Sequence, residues 1–162
     1  MSVYLYSVKS VSYGTPTGTG TMPTPLTAIG DTTKGTVTIE EAAGSNNEFF
    51  VDQKPFPILS LSAEEGKLGA TMQFPDCTFA TIAALKGGHG SATGYTPSVG
   101  FTSITKALQI ALDSGHNVNI FNAACFTRLT GGGGRDKMLN MELKVTPLLT
   151  ADGLSAWEIK PI

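Results

Sequence analysis

Apolar and polar residues alternate along this chain in short, recurring runs, and that period of two dictates β structure. Leu68, Ala70, Met72 and Phe74 fall on one side of a strand, with Gly69, Thr71 and Gln73 on the other. The pattern recurs within Met138–Leu149 at Leu139, Met141, Leu143 and Val145, within Gly35–Glu41 at Val37 and Ile39, and within Asn117–Phe121 at Val118 and Ile120. Successive strand side chains point to opposite faces, so each run offers one face to a core and one to solvent. Shorter runs at Val3–Val8, Glu48–Asp52, Ile58–Ser62, Cys125–Leu129 and Ala156–Ile159 fit the same reading. Gly-Ser-Asn-Asn within Ala42–Asn47 reads as a turn, and Pro55 and Pro57 restrict pairing between their flanking runs.

Ile104–Asp113 fits two periods. Ile104, Ala107, Leu108, Ala111 and Leu112 lie at helical spacing, whereas Ile104, Leu108, Ile110 and Leu112 share a strand face. The following residues decide between them. Asp113-Ser114-Gly115-His116 is a tight-turn signal before another alternating run, so a hairpin across Ser114-Gly115 accounts for both segments. A bulge near Asn122-Ala123 then allows the returning strand to continue through Cys125–Leu129. Thr78–Leu85 is the one helix: Asp76 or Thr78 caps its start, Phe79, Ile82 and Leu85 form a stripe, and Gly87 offers a left-handed stop. Gly87–Pro97 and Gly131–Gly134 read as loops. The expected fold is mainly β, a sandwich or barrel of about nine or ten strands with one short flanking helix, in a single domain over residues 1–162.

Residues 13–33 stand apart. They carry a single charge, Asp31, and are rich in Thr, Pro and Gly, a composition that favours an extended path over a helix. Connections this long without structure of their own are uncommon in compact domains and are usually functional or disordered. Two readings follow: a linker without a fixed partner, or a flexible arm that contacts a neighbouring molecule. The arm reading makes Tyr13, Thr15, Pro16, Thr21, Met22, Pro23, Pro25 and Leu26 candidate self-assembly residues.

Charged residues are 15% of the 162, against a typical value of about 25%, so surfaces of this chain repel one another weakly. The formal net charge of −2 gives phosphates little to neutralise. Residues 1–85 carry eight acids and four bases, and residues 86–162 carry five acids and seven bases, which suits head-to-tail docking. The start of the chain lacks the basic-then-apolar pattern of a signal peptide, and no apolar run approaches membrane-spanning length, so a soluble protein made in the cytoplasm is expected.

No chemistry-bearing motif emerges. His89 and His116 lie in turn-like segments, and no pair of ligand residues has the usual metal spacing. Gly131-Gly-Gly-Gly-Arg135-Asp136-Lys137 fails the phosphate-loop pattern, since no Gly precedes Lys137 and no Ser or Thr follows it. Glu40-Glu41 and Glu64-Glu65 are adjacent, so on strands each pair points to opposite faces. Cys77 and Cys125 read as reduced, buried thiols, and Trp157 as a core residue. No catalytic site, cofactor or metal is expected. Two competing readings remain: a carbohydrate-binding-like β sandwich, which wants exposed aromatic rows where this chain has one Trp, and an enzyme built on a Cys–His pair.

Three stretches carry a resemblance. They are Lys34-Gly-Thr-Val-Thr-Ile-Glu-Glu after the polar arm, Asp76-Cys-Thr-Phe-Ala-Thr-Ile-Ala-Ala-Leu-Lys-Gly-Gly, and Lys106-Ala-Leu-Gln-Ile-Ala-Leu through Asp113-Ser-Gly-His, Ile120-Phe-Asn-Ala-Ala and Leu139-Asn-Met-Glu-Leu-Lys-Val-Thr-Pro-Leu. In order and texture the chain resembles the tail tube (major tail) proteins of tailed bacteriophages, most closely prophage-encoded subunits of gut bacteria. A contractile injection-system tube subunit is a near neighbour of that reading. The resemblance implies a β sandwich or barrel flanked by one helix, and copies of the chain in hexameric rings that stack into a tube through which DNA passes. It implies a long loop and terminal segments bridging rings, tape-measure and terminator proteins as further partners, and a place in the virion tail after assembly in the host cytoplasm. Under it, residues 13–33 resemble an inter-subunit arm. Ile104, Leu108, Ile110, Leu112, Val118, Ile120 and Phe121 would stand on the long hairpin strands of the tube wall. The sparse Lys and Pro along Ile104–Leu129 fit strand edges completed by neighbouring copies.

Overall fold

A computed structural model describes residues 6–49, 57, 59–64, 67–100, 103–131, 139–153 and 155–162. Alternation becomes architecture most directly in β6 (Leu68–Phe74), whose residues bury at every second position. Around it runs one eight-stranded sheet. Its path is β2 (Thr27–Gly30), β1 (Val8–Gly14), β9 (Ile104–Leu112), β10 (His116–Thr130), β11 (Asn140–Pro147), β6 and β3 (Thr38–Glu41), and β12 (Trp157–Pro161) also pairs with β10. The neighbours along it are antiparallel. Two short ribbons lie outside it: β4 (Ser45–Phe49) with β5 (Leu59–Glu64), and β7 (His89–Gly90) with β8 (Tyr95–Thr96).

The sheet is curled into a barrel. If it were flat, β2 and β6, five places apart, would be separated by about 24 Å. Yet Thr33, three residues past β2, donates its N–H to the carbonyl of Gln73 in β6 at 2.8 Å. Three residues reach at most about 11 Å. The two margins of the sheet therefore meet along a seam crossed by residues 31–37. Gly30 marks it: its φ of 138° lies in the left-handed half of backbone space, and a Cβ there would collide with the carbonyl oxygen of Asp76.

Inside lie Val11, Met72, Phe74, Leu108, Ile110, Ile120, Met141, Leu143 and Val145, all essentially excluded from solvent. The expected hairpin is present. Gly115, at φ 76°, turns β9 into β10, and the register shifts between Ile120 and Ala123, where the bulge was expected. That bulge lets one strand serve two partners in tandem. His116–Ile120 pairs with β12, and Ala123–Thr130 pairs with β11.

The helix, α1 (Phe79–Lys86), sits where the sequence places it. Thr78 caps it, its hydroxyl accepting the Thr81 N–H at 3.1 Å, and Gly87 ends it. Ile82 and Leu85 are buried, whereas Phe79, expected in the same stripe, is exposed and Thr81 is buried instead. Thr127 of β10 donates its hydroxyl to the Leu85 carbonyl at 2.8 Å, and Lys86 donates to the Thr127 carbonyl at 3.1 Å. These bonds seat α1 as a lid over the barrel end where β6 finishes. Thr78→Ala removes one cap bond and is expected to cost about 1 kcal/mol, read as a lower urea midpoint at an unchanged slope.

Several segments differ from expectation. Ser45–Asn47, read as part of a turn, belong to β4, because cross-strand pairing with β5 outweighs the weak strand propensity of Ser and Asn. The loop reading of Gly87–Pro97 gives way to the small β7–β8 hairpin. The first strand is β1, starting at Val8. Most of the run expected at Val3–Val8 lies outside the described residues, as do residues 50–52 and 58 of two others and most of the Gly131–Gly134 loop.

Candidate functional site

The segment expected to be an arm is folded onto its own body. Tyr13 lies in β1, half-buried against the core, with the Lys106 ammonium 5.8 Å from its ring centroid. Thr27–Gly30 is strand β2, paired back on β1. Between them the chain loops out and is pinned. Ala151 donates its N–H to the Gly18 carbonyl at 3.0 Å, and Gly20 donates to the Asp152 carboxylate at 3.1 Å. The hydroxyls of Thr17, Thr19 and Thr21 bond to one another. Thr15, Thr21 and Pro25 are exposed, whereas Pro16, Met22, Pro23 and Leu26 are half-buried. Pro23 and Leu26 close over Gly14, where a Cβ would stand 2.6 Å from Pro23 Cγ. The composition that suggested a free tether instead gives a loop tied to the body by Ala151 and Asp152 and by bonds among its own threonines.

The expected wall residues are also used within the subunit. Leu108, Ile110, Leu112, Val118, Ile120 and Phe121 are buried and Ile104 is half-buried. β9 and β10 are central, paired on both sides, so they are not the edges that low Lys and Pro content suggested. Central strands need no gatekeeping charges, which explains that composition equally well.

The unfinished surfaces lie at the end of the barrel opposite α1. There β3 stops at Glu41 and β6 begins at Leu68, and these two residues face each other across the ladder. The intervening chain leaves from this rim and forms the β4–β5 ribbon. All five residues of β4 are exposed. In its register, Asn47 opposes Leu61, so Phe49 and Leu61 share one face, while Asn46, Glu48 and Ser60 share the other. The ribbon is thus amphipathic, yet Phe49 and Leu61 are 49% and 50% exposed. An isolated two-stranded ribbon is marginal in water and needs a surface to pack on.

Beside the ribbon's base the barrel mouth is open. A groove of about 350 Å³ is lined by Val8, Ile39, Leu68, Leu112, Trp157 and Ile159, among others. Past Ser7, Val8 and Val37 it runs on into a more polar hollow of about 390 Å³ that includes Lys34. Among the described residues, the lining of both contains that single cation and no acid. The Thr33 hydroxyl, in the polar part, is buried without a hydrogen-bond partner. β12 forms one wall, bonded only to β10, which leaves its other edge unpaired among the described residues. The ribbon's apolar face is hinted at in the sequence by the alternation of Leu59, Ser60, Leu61 and Ser62. The groove has no such signal, because it joins residues from strands far apart in the chain.

Burial, with Asp76 nearby, pushes the Cys77 thiol up to about 11, and burial alone does the same for Cys125 against a small opposing pull from Lys106. Both are therefore protonated near neutral pH, whereas a nucleophilic cysteine needs its thiolate. Among the described residues no three His, Cys, Asp or Glu side chains gather to hold a metal, and no helix is long and apolar enough to cross a membrane.

Cys125 also makes stability depend on pH. Its pKa is raised on folding, so its contribution is complete below about pH 9 and is lost as pH climbs through about 11. The loss approaches about 2–3 kcal/mol. Cys125→Ala is expected to make this alkaline decline shallower while the share from Cys77 remains, measured as urea midpoints between pH 7 and 11. A parallel decline in both proteins would assign it to other groups. No protein-family model and no curated protein matches this chain.

Proposed function

We propose that this chain is a structural subunit, of the kind that builds the tail tube of a phage, and that it works by joining copies of itself into rings and stacking them into a channel for DNA. The observation that carries this reading is the β4–β5 ribbon. It is a solvated, amphipathic projection with Phe49 and Leu61 on one face and no place in its own subunit's sheet. An exposed apolar ribbon is a liability in a lone molecule and a connector in an assembly.

Three further features support it. The barrel mouth and the outer edge of β12 offer heterologous contacts, which generate rings when the rotation closes and filaments when it does not. The low charge density lets like surfaces approach. The formal charge of −2 gives a DNA backbone little to hold as it slides through. Tape-measure and terminator proteins are the further partners this role entails.

The test is direct. Purified protein, concentrated stepwise, is expected to form rings or tubes visible by negative-stain electron microscopy, with matching fast-sedimenting species. A strict monomer at every concentration, or a monomer that binds glycans on an array, would overturn the proposal.

A further inference from the structure

We infer that the open barrel mouth is a binding site for a single-chain amphiphile with an anionic head, its hydrocarbon tail in the groove beside β12 and its head in the polar hollow beside Lys34. This inference concerns one subunit and is independent of the assembly reading, so either can fail alone.

Polarity is sorted along the cavity. The groove of about 350 Å³ has aliphatic walls from several strands, among them Val8, Ile39, Leu68, Leu112 and Ile159. The hollow of about 390 Å³ adds Thr32, Thr33, Lys34 and Gly35. Ser7, Val8 and Val37 line both parts, so the two are continuous. Each part alone is within the size range of small-molecule sites. A linear molecule with one apolar end and one polar end matches that order. A wholly polar ligand would leave the aliphatic walls uncovered, and a wholly apolar one would desolvate the polar end without pairing it.

Charge sets the sign of the head. Among the described residues, Lys34 is the only charged side chain lining either part, so an anion is attracted and a cation repelled. Lys34 is exposed, and its pull is worth only a few-fold in affinity. Burial of the tail supplies the rest. Thr33 adds a donor. Its hydroxyl is buried without a hydrogen-bond partner, so no bond holds its present rotamer. It can turn to another staggered position and donate to an arriving carboxylate. The Thr33 N–H, bonded to the Gln73 carbonyl, keeps the residue at the cavity wall meanwhile. Where the two parts join, Ser7 has a φ of 53°, the one positive φ of a non-glycine among the described residues. Its carbonyl is held by the Asp113 N–H at 3.0 Å. Such backbone is uncommon outside glycine and clusters at ligand sites.

The probes are decanoate, dodecanoate and tetradecanoate, added below their micelle concentrations to protein dilute enough to sediment as a single subunit. Trp157, the single tryptophan and part of the groove wall, is expected to shift its emission to the blue as the tail covers it. The dissociation constant is expected to fall about fourfold for each added methylene until the groove is full. Dodecyltrimethylammonium, with the same tail and the opposite charge, is expected to bind about tenfold more weakly than dodecanoate. Phosphatidylglycerol vesicles separate a free amphiphile from an anionic bilayer surface, and no binding to them is expected.

Two variants locate the site. Thr33→Val deletes the unpaired hydroxyl and keeps the shape. Its urea midpoint is expected to be unchanged or higher, while dodecanoate binds about fivefold more weakly. A threonine with a purely structural role would lose stability and keep the affinity. Ile159→Asp puts a charge in the path of the tail at a position 44% exposed, so the fold is expected to persist and the gain with chain length to vanish. Affinity that does not rise with chain length, a cationic surfactant bound as tightly as dodecanoate, or binding to vesicles alone would overturn the inference. Should a variant lose its fold, the wild-type series decides.

Discussion

Gly30→Ala is expected to lower stability by at least about 3 kcal/mol, a large part of the 5–15 kcal/mol typical of a domain. At φ 138° an alanine pays backbone strain of about 1–3 kcal/mol before any contact is considered. Its methyl group would then collide with the Asp76 carbonyl oxygen, which belongs to rigid backbone between β6 and α1. Relief requires the seam to open, and the seam carries the Thr33–Gln73 bond that closes the barrel. Gly35→Ala is the control. Gly35 also has a positive φ, of 76°, but nothing lies within 4 Å of a Cβ there, so a cost of about 1 kcal/mol is expected from strain alone. Urea unfolding of the two variants measures the difference. Equal costs would mean that β2 and β6 do not meet as described.

The elements that sequence reading located best are those whose signal is local. β6 coincides with its alternating run, and α1 begins one residue after Thr78 and ends one before Gly87 because capping chemistry is written in neighbouring residues. The β9–β10 hairpin was decided by Ser114-Gly115, where a positive φ is needed at the turn. Failures arose where distant residues decide. The Thr- and Pro-rich stretch from residue 13 looks unattached until Ala151 and Asp152, over a hundred residues later, arrive to hold it. Ser45–Asn47 look like a turn until β5 pairs with them. The fold class was therefore legible as mainly β, while the open mouth was not. It joins Val8, Ile39, Leu68, Leu112 and Trp157 from strands far apart in the chain, and their meeting leaves no compositional trace.

Excising the ribbon is the prediction with the largest effect on assembly. Glu41 and Leu68 face each other as antiparallel neighbours, so a hairpin loop of about four or five residues joins β3 directly to β6 in place of residues 42–67. The trimmed protein is expected to fold with a urea midpoint close to that of wild type, since no described residue of the ribbon belongs to the buried core cluster. It is expected to show no rings, tubes or fast-sedimenting species under any condition where the full chain forms them. The reasoning is an asymmetry of burial: removing a surface already in water costs the monomer little, whereas an interface loses its apolar anchors, which carry most of the binding energy in such contacts. Loss of folding would place the ribbon in the stability of the monomer. Persistent rings would shift the assembling surface to the remaining β12 edge, where strand pairing between backbones proceeds without any side chain of the ribbon.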